Sequence, residues 1–98
     1  MSVTVGVLAL LEAKPEKADE VAALLKTARE LAVAEQQTVT WYAFQADAVT
    51  YGIFDTFESE DGRQAHLGGE IAKTLMQVAP ELLAKDPEIR TVEIVAAT

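Results

Sequence analysis

The sequence contains no cysteine, one histidine and no long apolar run. Without cysteine there is no disulfide framework, no thiol nucleophile and no zinc–thiolate site. The same lack is compatible with a reducing compartment. With His66 as the only imidazole, a metal site would need carboxylates gathered from scattered positions, and no spacing suggests one. The longest apolar run, Val5 to Leu11, is far too short to span a bilayer. The N-terminus lacks the basic start of a signal peptide, so the expected location is cytoplasmic. Positive charge is scarce as well: 8 Lys and Arg stand against 16 Asp and Glu, a net charge of −8. Such a chain repels phosphate backbones and anionic headgroups, which argues against nucleic acid and membrane surfaces as partners. Gly68-Gly69 alone does not make a phosphate-binding loop. Ser2 is terminal and Ser59 reads as a helix cap, which leaves no serine in a nucleophile's setting.

What is present is an apolar excess. Half of the 98 residues are hydrophobic. One domain spanning residues 1–98 fits the length, but a sphere this small hides only about 60–65% of the surface of its unfolded chain. The surplus points to a subunit interface.

Along the chain, Val3 to Leu11 reads as a buried strand. Pro15 suits a first helical turn, and Glu16, Asp19 and Glu20 favour the positive end of the helix dipole. Apolar residues then recur at spacings of three and four from Ala18 to Ala32, which predicts an amphipathic helix of about five turns ending between Ala34 and Gln37. Thr38 to Gln45 and Val49 to Glu58 are rich in strand formers and flank Asp47-Ala48, a hairpin signature. A loop of two or four residues there pairs Trp41 with Phe54, Tyr42 with Ile53 and Ala43 with Gly52. Ser59-Glu60-Asp61 starts a short helix that Gly68-Gly69 interrupts. A second helical stretch carries Ile71, Leu75, Ala79 and Leu82, with Pro80 expected to kink or break it. Asp86-Pro87 reads as a turn and Thr91 to Ala96 as the last strand. The order β-α-β-β-α-β predicts an α+β, ferredoxin-like fold with an antiparallel sheet. That topology has no place for a Rossmann-type nucleotide site.

This pairing puts Val39, Trp41, Ala43, Gly52 and Phe54 on one hairpin face and Tyr42, Phe44, Tyr51, Ile53 and Phe57 on the other. Both faces are apolar, whereas a sheet with one wet face alternates. Helices cover one face only in this topology. A second copy of the same sheet is the simplest cover for the other, which predicts a homodimer through the sheet face. The alternative cover is the chain's own kinked C-terminal helical stretch.

Six residues are candidates for a site, each with a structural reading beside the functional one. His66 alone titrates near neutrality when unperturbed, and Arg63 shares its helix face. Together they could bind an anionic oxygen or orient a phenolate; equally, His66 could pack the broken helix while Arg63 pairs with Asp55 or Asp61. Trp41, Tyr51 and Phe54 could line a pocket for an aromatic ligand, with Ala43 and Gly52 leaving room beside them, or form core and interface. Asp55 stands on a covered strand and needs a partner, as a base of raised pKa or as half of a salt bridge.

The run from Thr38-Val39-Thr40-Trp41-Tyr42 through Ile53-Phe54-Asp55-Thr56-Phe57 to Ala65-His66-Leu67 resembles the antibiotic biosynthesis monooxygenase domain family, a branch of the dimeric α+β barrels. The resemblance implies a dimer of ferredoxin-like subunits with a pocket between sheet and helices. It further implies oxidation of a phenolic or quinol-type compound by molecular oxygen, with no metal or flavin cofactor. His66 matches the family's helix histidine and would be the base or the orienting group, with Trp41 and Tyr51 against the substrate. The chain contains no asparagine, which argues against the haem-degrading branch. A non-catalytic small-molecule-binding or accessory protein, and an isomerase or cyclase, are the competing expectations.

Overall fold

Alternation of apolar side chains along four short segments builds the sheet that carries everything else. The computed structural model describes residues 2–98. Its strands are β1 (Val5–Glu12), β2 (Thr38–Gln45), β3 (Thr50–Phe57) and β4 (Glu88–Glu93), with α1 (Ala18–Ala34), α2 (Glu60–Leu67) and α3 (Glu70–Leu82) between them. All neighbouring strands are antiparallel, in the order β2-β3-β1-β4. This is the ferredoxin-like arrangement expected from the element order. Pro15 opens a single 3-10 turn that leads into α1. Ser59 caps α2 by accepting a hydrogen bond from the Gly62 amide at 3.3 Å. The helices part at Gly68-Gly69, and Pro80 falls in the last turn of α3, which ends two residues later.

One face of the sheet is covered. Val5, Val7, Ala9 and Leu11 of β1 and Tyr51, Ile53, Asp55 and Phe57 of β3 point to it and are buried. Against them pack Val21, Leu25, Ala28 and Ala32, one stripe of α1, with Ile71, Leu75 and Ala79 of α3. Both long helices therefore lie on the same side, and α3 does not curl over the other.

The hairpin register differs from the expected one by a single residue. Trp41 faces Asp55, Tyr42 faces Phe54, Ala43 faces Ile53 and Phe44 faces Gly52. The cause is the turn. Asp47 Oδ1 accepts from the amides of Val49 (3.0 Å) and Thr50 (2.8 Å), and Ala46 N–H bonds Thr50 O, so three residues are looped out rather than two or four. The offset is absorbed by an irregularity between Thr38 and Thr40. A one-residue slip exchanges the faces of a strand. Tyr51 and Ile53 accordingly lie under the helices beside Trp41 and Ala43, while Gly52 and Phe54 join Tyr42 and Phe44 on the open side. A Cβ on Gly52 would fall 2.2 Å from the Phe44 ring, so the glycine makes room for that ring. The last strand also begins three residues earlier than expected, at Glu88, and pairs with β1 up to Glu93.

Candidate active site

The buried end of α2 places the only histidine against two carboxylates. His66 lies one helical turn beyond Arg63, with its ring tilted against Phe57 at 5.2 Å between centroids. Its Nε2 stands 2.8 Å from Asp55 Oδ2, and its Nδ1 lies 2.7 Å from Glu35 Oε1. Thr38 donates its hydroxyl to the same Glu35 oxygen at 2.6 Å. Asp55 is fully buried at 0% exposure, so a carboxylate there needs a partner, and the imidazole is the group beside it. The approach of Nε2 has an ion pair's distance but is off the hydrogen-bonding direction, and among the described residues neither Asp55 oxygen has an aligned donor. The Trp41 indole N–H is likewise buried with no acceptor, and Trp41 is the residue directly across the strands from Asp55.

Burial disfavours the charged imidazole, but Asp55 and then Glu35 outweigh it, and the His66 pKa lies above 6.5. Below that raised pKa the ring is an imidazolium held between two carboxylates. A proton bound more tightly in the native state than in the unfolded chain stabilises the fold fully below about pH 6.5, and that contribution is lost as pH rises through the native pKa. Urea unfolding between pH 6 and 9 is expected to show the midpoint falling with pH in the wild type. The slope should flatten in Asp55→Asn. An equal slope in both proteins would remove the Asp55–His66 pair as its source.

Arg63 has other work. Its NH1 donates to Gly6 O (3.2 Å) and Val92 O (3.0 Å), its Nε donates to Glu60 Oε2 at 3.1 Å, and NH2 bonds Glu60 Oε1. It ties α2 to β1 and β4, and it pairs with neither Asp55 nor Asp61. A Cβ on Gly6 would stand 2.8 Å from the Asp55 carbonyl, so glycine is required at this crossing. Among the candidates, His66, Asp55, Trp41 and Tyr51 all lie on the covered side of the sheet, with His66 and Asp55 in contact and Trp41 across the strands from Asp55. Arg63 is spent on backbone carbonyls and Glu60, and Phe54 lies on the opposite face.

Three clefts follow one another along the edge between α1 and β2. The first, about 260 Å³, is lined by Glu35, Thr38, Gly62 and His66. The second, about 350 Å³, shares Glu35 and Thr38 with it and adds Arg29, Thr40 and Trp41. The third, about 320 Å³, shares Arg29 and Trp41 and continues to Lys26 and Tyr51. His66 opens only on the first, whereas Trp41 and Tyr51 line the third. Glu35 joins the two ends, and the sequence reading missed it. A signal was available: Glu35 is a carboxylate immediately after α1, at the negative end of the dipole, with no basic residue in the last turn. An acid there needs a cation from elsewhere in the fold, and His66 is that cation. Among the described residues, no group of three or more His, Cys, Asp or Glu side chains is placed to hold a metal ion. No helix among them is long and apolar enough to cross a membrane.

Comparison with known proteins gives a fold and a family but no reaction. No family model matches the chain, and no curated protein does. A solved protein of unknown function from Nitrosomonas europaea is 43% identical, with a TM-score of 0.95 over 98% of this chain and 93% of its own. A structure named antibiotic biosynthesis monooxygenase is 18% identical, with a TM-score of 0.80 over 94% of this chain and 99% of its own. A Caulobacter crescentus protein provisionally given the same name is 22% identical, with a TM-score of 0.79 over 96% of this chain and 92% of its own.

Proposed function

Because the chain belongs to one family with that Nitrosomonas europaea protein and has the antibiotic biosynthesis monooxygenase fold, we propose that it is a cofactor-independent monooxygenase acting on a small aromatic or quinol-like compound. Fold alone assigns no reaction, so the proposal rests on the site. The observation that carries it is the chain Asp55–His66–Glu35, which runs from the buried sheet to a groove floored by Trp41. A phenol in the groove gives its proton to Glu35, which His66 and the Thr38 hydroxyl hold in place. The phenolate carbon then bonds to molecular oxygen, and the peroxide takes the proton back from Glu35. The resulting hydroperoxide loses water to leave a quinone, so one oxygen atom enters the product and one leaves as water. Both electron pairs come from the substrate, and no cofactor is required. Trp41 and Tyr51 hold the ring.

Oxygen uptake with a panel of quinols and polyphenols, in the presence of a chelator, tests this reading. Saturable uptake by the wild type supports it, and no uptake on any compound overturns it. A second reading, a small-molecule-binding or accessory protein on the same scaffold, is favoured by the burial of Asp55 and His66, which leaves Glu35 alone at the groove. Ligand binding without turnover would select it. Turnover without oxygen would instead select an isomerase or cyclase.

We further propose that the active unit is a homodimer through the open sheet face. Tyr42 is 60% exposed there and Phe44 37%, next to Phe54 and Leu8. Residues 94–98 border a concavity of about 710 Å³ with Val39, Tyr42 and Phe54. An aromatic patch of this kind on a face that no helix covers is what a sheet-to-sheet two-fold interface buries. Tyr42→Asp or Phe54→Asp is expected to shift the protein to monomer in sedimentation. An unchanged dimer, or a wild type that is already monomeric, would rule the interface out. Tyr51 and Ile53 are the wrong positions for this test, since they lie under the helices.

A further inference from the structure

We propose that the groove between α1 and β2 selects aromatic compounds carrying an anionic group, a carboxylate in the simplest case. The inference deepens the aromatic-substrate reading above and rests on it. Lys26 and Arg29 stand three residues apart on α1 and line the cleft that Trp41 and Tyr51 also line. None of the residues lining that cleft is acidic, in a chain whose acids outnumber its bases by 16 to 8. A chain of that composition repels anions in general, so a local cationic wall without acids is a departure from its own background.

The two cations are also uncommitted. Among the described residues Lys26 has no carboxylate within ion-pair reach. Arg29 pairs only with its chain neighbour Glu30, at 3.2 Å, and both side chains are largely exposed. An exposed pair of this kind is weak and yields to a better acceptor. A bound anion would relieve the mutual repulsion of the two cations and could form a bidentate contact with the guanidinium.

The polarity of the groove sets the ligand's direction. Glu35 lies at the other end and repels an anion, so the charged group belongs at Lys26 and Arg29 and the hydroxyl at Glu35. Arg29 and Glu35 are six residues apart, about 9 Å along the helix axis. One ring with substituents at opposite ends bridges that span, and its face meets Trp41.

Trp41 is the only tryptophan, so its fluorescence reports binding without turnover. The probes are 4-hydroxybenzoate and its neutral counterpart 4-hydroxybenzamide, titrated anaerobically. Quenching by the acid is expected to saturate at a concentration about tenfold lower than for the amide. Raised salt should narrow the difference. Lys26→Gln/Arg29→Gln is expected to bind both probes alike; both side chains are exposed, and circular dichroism confirms that the variant is folded. Equal affinity of wild type for the two probes, no saturable quenching by the acid, or a preference that survives the double substitution would each overturn the proposal. Because these titrations need no oxygen, the outcomes separate. Acid preference without oxygen uptake on any compound keeps the selectivity and rejects the monooxygenase; uptake on neutral quinols without acid preference does the reverse.

Discussion

Glu35→Gln is expected to lower kcat/KM for quinol-dependent oxygen uptake by about 10²–10⁴-fold while the chain stays folded. The substitution keeps the shape of the side chain. Glu35 Oε1 accepts from His66 Nδ1 at 2.7 Å and from the Thr38 hydroxyl at 2.6 Å, and an amide oxygen can accept both. What an amide cannot do is take a proton from a phenol in the groove. The loss should therefore fall mainly on kcat, with KM changed little, since the groove's cations and aromatics are untouched. Supplying the substrate as a preformed phenolate, at a pH above its own pKa, should restore a large part of the rate. A variant within a few-fold of wild type would place the base elsewhere, and a variant whose KM alone rises would make Glu35 a binding residue.

The contrast between Glu35 and the residues named from the sequence shows what kind of information a chain of letters carries. The element order, the break at Gly68-Gly69 and the bounds of β2 follow from local chemistry: β-branched and aromatic runs, a capping serine, glycines without side chains. These features act within a few residues and leave a local pattern. The hairpin register does not, because it depends on whether Asp47 organises two, three or four loop residues. That single count separated Tyr51 and Ile53 from Tyr42 and Phe44 and placed them in the core beside Trp41, and it separated Phe54 from Trp41 and placed it on the open face. The proposed homodimer interface accordingly uses Tyr42, Phe44 and Phe54.

The site was legible as a set of residues and not as a geometry. His66, Asp55, Trp41 and Tyr51 stand out by type, being the only imidazole, an acid on a covered strand and the aromatics of one hairpin. Which of the two carboxylate candidates, or which cation, meets which partner depends on how α2 docks on the sheet. Arg63 and His66 share a helix face as the spacing requires, yet the longer side chain reaches past to the carbonyls of Gly6 and Val92 at the β1–β4 edge, while the ring stops at Asp55. Glu35 is 31 residues from His66, beyond any local pattern; only its unfavourable place at the end of α1 hinted at it.

Replacing His66 with alanine is expected to cost the fold about 3–5 kcal/mol, because it strands a fully buried carboxylate without the one cationic side chain within ion-pair reach of it among the described residues. Against a total stability of about 5–15 kcal/mol, that loss brings the chain close to unfolding at room temperature. The mechanism is specific to Asp55. Glu35 loses the same imidazole but keeps the Thr38 hydroxyl and is partly exposed, so its share is smaller. Two further variants separate the stranded charge from lost packing against Phe57. Asp55→Asn in the His66→Ala background should recover part of the loss, since an amide costs less to bury than a carboxylate. His66→Leu/Asp55→Leu should approach wild-type stability, as apolar replacements of buried ion pairs often do. Urea unfolding at pH 6.5 and fixed protein concentration, read by circular dichroism, measures all of these. A His66→Ala midpoint within experimental error of wild type would overturn the stranded-carboxylate account and remove the Asp55–His66 pair as a source of stability.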